Sequence, residues 1–366
     1  MTNPLVRLGQ LGQSPWYDFI TRDLVRSGRL GRLIADDGLL GMTSNPSIFE
    51  KAVAASTDYD EDIRQLAGEG LDPKGIFETI AIADVRAACD AFLPTYRATG
   101  GRDGLVSLEV APALAHDTAG TIAEAQRLWR SLDRPNAMIK IPGTLAGLGA
   151  VTACIAAGIN INVTLLFSVD RYRRVIDAYL DGLETRVGRG ESVSGIASVA
   201  SFFVSRVDTR IDPILDQSGD PHGLRGTIAI ANAAVAYHAF QDSLAGARWV
   251  ALARLGASPQ RPLWASTSTK DPQYPDVYYV EALVARDTVN TLPPETFVAY
   301  RDHGQPALRI DDAIATAPDR LERLTKAGID LRAVTDFLEQ DGVAKFAAAF
   351  DSLLAGIDAK AGVLAR

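Results

Sequence analysis

The residue whose type and setting most invite chemistry is Lys140, in "NAMIKIPGT" (136–144). The run reads as a buried strand, and taking an unpaired charge out of water costs several kcal/mol or more. Such a lysine snorkels from the strand end, pairs with a carboxylate, or loses its charge and becomes a nucleophile at neutral pH. A neutral amine condenses with a ketone to give a cationic iminium, an electron sink that lets a neighbouring carbon–carbon bond break. That requires a pKa lowered from about 10.4 towards the working pH, and an apolar strand supplies the desolvation. Other apolar runs carry polar groups near their carboxyl ends: Asp18, Asn45, Glu109, Thr164 and Ser201. Each alone has a structural explanation, such as a loop carboxylate, an Asx turn or a threonine bonded to its own backbone. Their recurrence at equivalent positions on different runs is the informative feature.

The elements that must position them alternate. Short apolar runs at 14–20, 39–45, 104–110, 137–142, 161–167, 195–204, 261–267 and 287–292 read as strands, most followed by helix-length segments. In "HDTAGTIAEAQRLWRSL", Ile122, Ala125, Trp129 and Leu132 share a helical face. Helices are expected over 144–157 and 168–184, the latter with an apolar stripe and Ser168 as N-cap. Such alternation predicts a parallel sheet, either open or closed into a (β/α)8 barrel. In a barrel the carboxyl ends of the strands converge on one mouth, which accounts for the repeated polar strand ends. The expected class is therefore α/β, a single (β/α)8 TIM barrel over 1–366 with additional helices. The Ala- and Leu-rich tail after about residue 329 reads as a helix covering part of the body.

Composition narrows the function. The 366 residues are 47% hydrophobic and 22% charged, an ordinary globular balance. A net charge of -8 with dispersed basic residues argues against nucleic acid. No apolar run approaches the ~20 residues that span a bilayer, so no membrane partner is expected. The start, "MTNPLVRLGQLGQSPW", lacks the apolar core of a secretory signal, and the expectation is a cytoplasmic protein. Cys89 and Cys154 sit in helical, alanine-rich contexts and read as buried thiols, outside any disulfide framework.

Two motif classes compete and lose. "GLGAVT" (147–152) nearly matches the dinucleotide fingerprint, yet its glycines fall inside the expected helix and no acidic residue ends the next strand. The scattered histidines His116, His222, His238 and His303 show no metal-ligand spacing, so neither a metal nor a cofactor is expected.

Read in order, these segments resemble transaldolases. "GMTSNPSIFEKA" (41–52), "VSLEVAP" (106–112), "MIKIPGTLAGLGAV" (138–151), "GININVTLLFS" (158–168) and "ASFFVSRVD" (200–208) match family motifs, and "TVNTLPPETFVAYRDHG" (288–304) is similar to the longer bacterial and plant-type branch. The resemblance implies a (β/α)8 barrel, agreeing with the independent strand count. It implies Lys140 as Schiff-base nucleophile, Asp18 as the base for carbon–carbon cleavage, and Glu109 and Thr164 as holders of a catalytic water. It further implies Asn45 and Asn162 on the dihydroxyacetone moiety, Ser201 on a substrate hydroxyl and Arg206 on the phosphate. Where the family commonly carries a second phosphate-binding arginine, "WASTSTKD" offers Ser268 and Lys270. A lysine binds phosphate as a point charge, without the bidentate fork.

The implied reaction moves a dihydroxyacetone unit from sedoheptulose 7-phosphate to glyceraldehyde 3-phosphate, with sugar phosphates as partners and a homo-oligomer allowed. The alternatives are a related aldolase releasing free dihydroxyacetone, in which a glutamine tends to replace Glu109, and a non-catalytic sugar-phosphate-binding barrel. A carboxylate beside Lys140 would raise the lysine's pKa, and a water between the two would soften that conflict. Gly143, where the family often has alanine, is expected to loosen the turn after the strand. Arg171, Arg173 and Arg174 are expected on a solvated helical face.

Overall fold

Parallel strands buried on both faces need apolar residues throughout, and the apolar runs of this chain become such strands. The computed structural model describes residues 3–365, so the first two residues of the amino-terminal stretch lie outside it. Eight parallel strands close into a barrel in chain order: β1 (Gln13–Asp18), β2 (Gly41–Thr43), β3 (Leu105–Glu109), β4 (Ala137–Pro142), β5 (Ile161–Leu166), β6 (Ser198–Phe203), β7 (Arg261–Ala265) and β8 (Thr288–Leu292). Pairing of β1 with β8, Gln13 opposite Thr288 through Tyr17 opposite Leu292, completes the ring and decides for the barrel over the open sheet.

Several strands are shorter than the apolar runs that announced them, each for a local reason. β2 stops at Thr43 because Ser44 donates to Ser107 O and Asn45 turns to cap the helix Pro46–Ala55. β7 stops at Ala265 because Ser266 takes a left-handed φ of 56°. The helix Val169–Gly188 starts where expected, with Ser168 Oγ accepting from Arg171 N.

The helix Leu145–Ala156 contains both glycines of "GLGAVT". A Cβ on Gly147 would lie 1.9 Å from Pro142 O, so this glycine lets the helix start close against β4. The motif is steric. Gly143 corrects an expectation: its N donates to Thr164 O at 2.7 Å and its O accepts from Arg171, which makes the turn tight rather than loose. A Cβ there would meet Leu166 Cδ2 at 2.3 Å. Arg173 and Arg174 are exposed as expected, but Arg171 turns inward and pairs with Glu339 at 3.3 Å.

The tail forms the helices Ile310–Lys326 and Leu331–Leu364. The buried residues of the last helix, Leu338, Gly342, Phe346, Phe350, Leu353 and Ile357, recur at helical spacing and face the barrel body. Cys89 and Cys154 are free and buried, and burial pushes each thiol up to about 12. Among the described residues no helix is long and apolar enough to cross a membrane.

Candidate active site

Residues at the carboxyl ends of the strands meet in one cavity of about 210 Å³. Its wall includes Asp18, Asn45, Lys140, Thr164, Ser201, Arg206, Ser268 and Lys270, all expected from the sequence. Two expected residues stand behind the wall. Glu109 and Asn162 are buried but do not line the cavity.

Parallel register explains Glu109. It lies opposite Lys140 on adjacent strands, so both side chains enter the barrel at one level. Glu109 Oε2 is 3.1 Å from Lys140 Nζ, with the side chains 4% and 6% exposed. The groups touch directly, and this separation leaves no room for the intervening water that the sequence reading invoked. The approach is poorly angled for a hydrogen bond, and Nζ donates instead to Ser44 O at 3.3 Å. Burial raises the Glu109 pKa, and the lysine's charge only partly opposes this.

Asn162 is the other residue set behind the wall. Its Nδ2 donates to Ser107 Oγ at 3.1 Å, and its Oδ1 accepts from Ser201 Oγ at 2.7 Å. It is fully buried and bonded to Ser201, which itself lines the cavity. Ser201 is left with lone pairs facing the space above.

Asp18 ends β1 and is half-buried; Thr43 Oγ1 donates to one of its oxygens at 2.7 Å, which leaves the other available. Asn45 does two things at once. Its Oδ1 accepts from Ile48 N as a helix cap, and that bond holds the side chain at the cavity wall with its NH2 end uncommitted. Thr164 is fully buried with an Oγ1 that has no partner. Just after it, Leu165 adopts φ 60° and the β5–β6 register slips between Val163 and Leu166. A bulge of this kind at a strand end re-aims side chains and is characteristic of functional sites.

Arg206, also on the cavity wall, extends from the helix Ser205–Gln217. Its Nη1 is buried without a partner, and its guanidinium carbon lies 5.1 Å from the Phe203 ring centre. Burial lowers its pKa, with Asp341 the largest opposing influence. A half-buried guanidinium with an unpartnered nitrogen facing a cavity suits an anionic ligand. Lys270 Nζ donates to Ser268 Oγ at 2.6 Å and adds a second basic group to the cavity wall.

The sequence reading missed Ser47, Phe203, Ser266, Thr291, Glu295 and Phe346, which also line the cavity. Phe203 lies two residues beyond Ser201, on the same face of β6, and alternation alone points to it. Phe346 comes from the last helix, and nothing local in the sequence ties it to a strand end.

Comparison with known proteins agrees with this geometry. The family model described as Transaldolase/Fructose-6-phosphate aldolase matches residues 15–357. A transaldolase of Acidothermus cellulolyticus is 49% identical over 361 residues, covering 98% of this chain and 96% of that protein. One from Frankia alni is 48% identical over 98% of this chain and 97% of its own length. One from Thermobifida fusca is 48% identical, with 97% of each chain covered.

Proposed function

The chain belongs to the transaldolase/fructose-6-phosphate aldolase family, and on that premise we propose that this enzyme is a transaldolase working through a Schiff base on Lys140. It moves a dihydroxyacetone unit from sedoheptulose 7-phosphate to glyceraldehyde 3-phosphate, leaving erythrose 4-phosphate and forming fructose 6-phosphate. A place in the non-oxidative pentose phosphate pathway, in the cytoplasm, goes with that reading. The observation carrying it is that a buried amine and a guanidinium with an unpartnered buried nitrogen line one cavity.

The steps follow from the contacts. A proton passing from Lys140 Nζ to Glu109 Oε2 leaves a neutral amine beside a neutral acid, and burial of Glu109 favours that transfer. The amine attacks the ketone carbon and forms a carbinolamine. Glu109 returns its proton by way of the nitrogen to the carbinolamine oxygen, which departs as water and leaves the iminium. The free Thr164 hydroxyl hydrogen-bonds that water as it leaves. Glu109 thus acts through the amine it touches and does not face the sugar.

Asp18 then takes the proton of the hydroxyl on the far carbon of the bond to be broken, the carbon that becomes the aldehyde. The bond breaks, its electron pair moves into the iminium, and an enamine forms as the aldose phosphate departs. The NH2 end of Asn45 holds a hydroxyl of the retained unit, and Ser201 accepts from another. When the acceptor aldehyde arrives, the enamine carbon attacks it and Asp18 returns the proton to the new oxygen. Water then adds to the regenerated iminium, and the carbinolamine collapses to free fructose 6-phosphate and the Lys140 amine. Arg206, with Lys270 and Ser268, binds the phosphate of donor and acceptor in turn. The aldolase alternative is disfavoured by the carboxylate at position 109.

Borohydride reduction with fructose 6-phosphate, followed by peptide mass analysis, tests the reading. A reduced dihydroxyacetone adduct is expected on Lys140 and absent from Lys140→Ala. Addition of erythrose 4-phosphate before reductant should deplete it. An adduct on another lysine overturns the assignment, and accumulation of free dihydroxyacetone in place of product favours the aldolase.

A further inference from the structure

The last helix (Leu331–Leu364) sends one aromatic ring into the catalytic cavity. Phe346 is 7% exposed, and Lys140 Nζ lies over its ring, 5.6 Å from the centre. That separation is within the range of cation–π attraction.

The helix carrying this ring is fastened on both sides of the barrel mouth. On one side Phe350, one turn on, meets Phe77 edge to face at 5.5 Å, and Phe77 meets Phe49 at 5.4 Å. Phe49 belongs to the helix that Asn45 caps. Further along, Lys360 Nζ donates to Val53 O at 3.0 Å and to Ser56 O at 2.7 Å. On the other side Glu339 pairs with Arg171, which also donates to Gly143 O at 3.1 Å, just past the strand of Lys140. Gly342 lies against Leu165, beside the bulge in β5. Phe346 stands between these anchors, held in place from both directions.

We propose that Phe346 is a further active-site residue whose ring steadies the iminium cation on Lys140 and bars water from the three-carbon adduct, so that the unit is transferred instead of released. The inference rests on the Schiff-base reading above. The competing release begins when the enamine carbon takes a proton from solvent and becomes an iminium again. Water then adds to the iminium carbon, loses a proton, and the carbinolamine collapses to free dihydroxyacetone and the Lys140 amine. Bond formation with the acceptor requires none of that water, only an aldehyde carbon and the proton held by Asp18; water is needed only afterwards, to free the product from its iminium. A ring over the nitrogen therefore acts on the partition between two fates of one intermediate.

The experiment compares the wild-type enzyme with Phe346→Ala and Phe346→Leu. Each receives fructose 6-phosphate with and without erythrose 4-phosphate. Free dihydroxyacetone, sedoheptulose 7-phosphate and the borohydride-trapped fraction are measured. Phe346→Ala opens the roof and should raise the ratio of release to transfer about tenfold or more, as access of water to the adduct increases. Phe346→Leu keeps apolar bulk without the ring face, and should lower the trapped fraction by about two- to fivefold. A purely structural role would depress release and transfer together and leave the ratio unchanged, which overturns the proposal. If Phe346→Ala does not fold, Phe346→Leu decides: trapping equal to wild type overturns the proposal and reduced trapping upholds it. A wild-type enzyme with no adduct on Lys140 refutes the reading beneath, whereas a trapped wild type with unchanged variants refutes this inference alone.

Discussion

Lys140 and Glu109 face each other in register on adjacent strands, and their charged ends meet at 3.1 Å inside the barrel. The pair is not aligned as a hydrogen bond, and burial disfavours charge on the carboxylate. Burial thus favours the protonated form of the carboxyl that faces the amine.

Glu109→Gln preserves shape and removes the proton acceptor. Turnover is expected to fall by about 10²–10⁴-fold, the usual range for a lost acid–base group. Wild-type Glu109 has a raised pKa, so it keeps its proton to higher pH than an ordinary glutamate. Its ionisation should contribute a loss of kcat on the alkaline limb that the glutamine variant lacks. Steady-state profiles of both enzymes check this, and superimposable profiles would count against the assigned role.

Thr164→Val separates function from stability. The hydroxyl is buried without a partner, so removing it relieves a desolvation cost of about 1 kcal/mol or more. The variant should melt at the same or a higher temperature than wild type while losing about tenfold or more in kcat through slower dehydration. A variant that is destabilised with full activity contradicts the reading.

Arg206→Leu makes a similar trade elsewhere on the cavity wall. The unpartnered, desolvated guanidinium contributes little to the empty fold, so unfolding free energy should change by less than about 1 kcal/mol. KM for phosphorylated substrates should rise by about 10–100-fold through loss of a charge-assisted contact. Lys270→Ala should cost less, because that amine is tethered to Ser268 as a point charge. Kinetics with dihydroxyacetone as an unphosphorylated donor provide the control, and an equal effect on both donors would refute a phosphate contact.

Asp208 gives a pH signature of stability. It is buried, accepts from Tyr279 Oη at 3.0 Å and Ala229 N at 2.7 Å, and burial with nearby Asp212 raises its pKa to about 7. The unfolded chain ionises this group near 3.8, whereas the folded chain holds the proton up to about 7. Stability should therefore decline as pH rises between those values, by up to about 4 kcal/mol, and level off above them. In Asp208→Asn this contribution vanishes, so the difference between the two denaturation-versus-pH curves isolates it. Parallel curves refute the raised pKa.

The apolar runs, their spacing and the polar strand ends already pointed to a barrel and to most of its cavity wall, because both patterns are local. A strand buried on both faces must be apolar along its length, and a lysine within one stands out without knowledge of its neighbours. Chain order likewise marked Asp18, Asn45, Thr164 and Ser201, each at the end of its own run. The helical position of the glycines in "GLGAVT" was equally legible, since spacing alone placed them within a helix.

Tertiary structure decided what no local pattern carries. Register between β3 and β4 brought Glu109 into direct contact with Lys140, and sequence states no distance between strands. Depth along β5 put Asn162 beneath the wall and Thr164 on it, although both point inward, because the level within a barrel depends on how neighbouring strands are staggered. Closure of the mouth brought Arg171 to Glu339 and Phe346 to Lys140 across more than 160 residues of chain. Residue type and periodicity fix which side chains enter the interior; only the closed ring and the helix laid over it fix which of them meet.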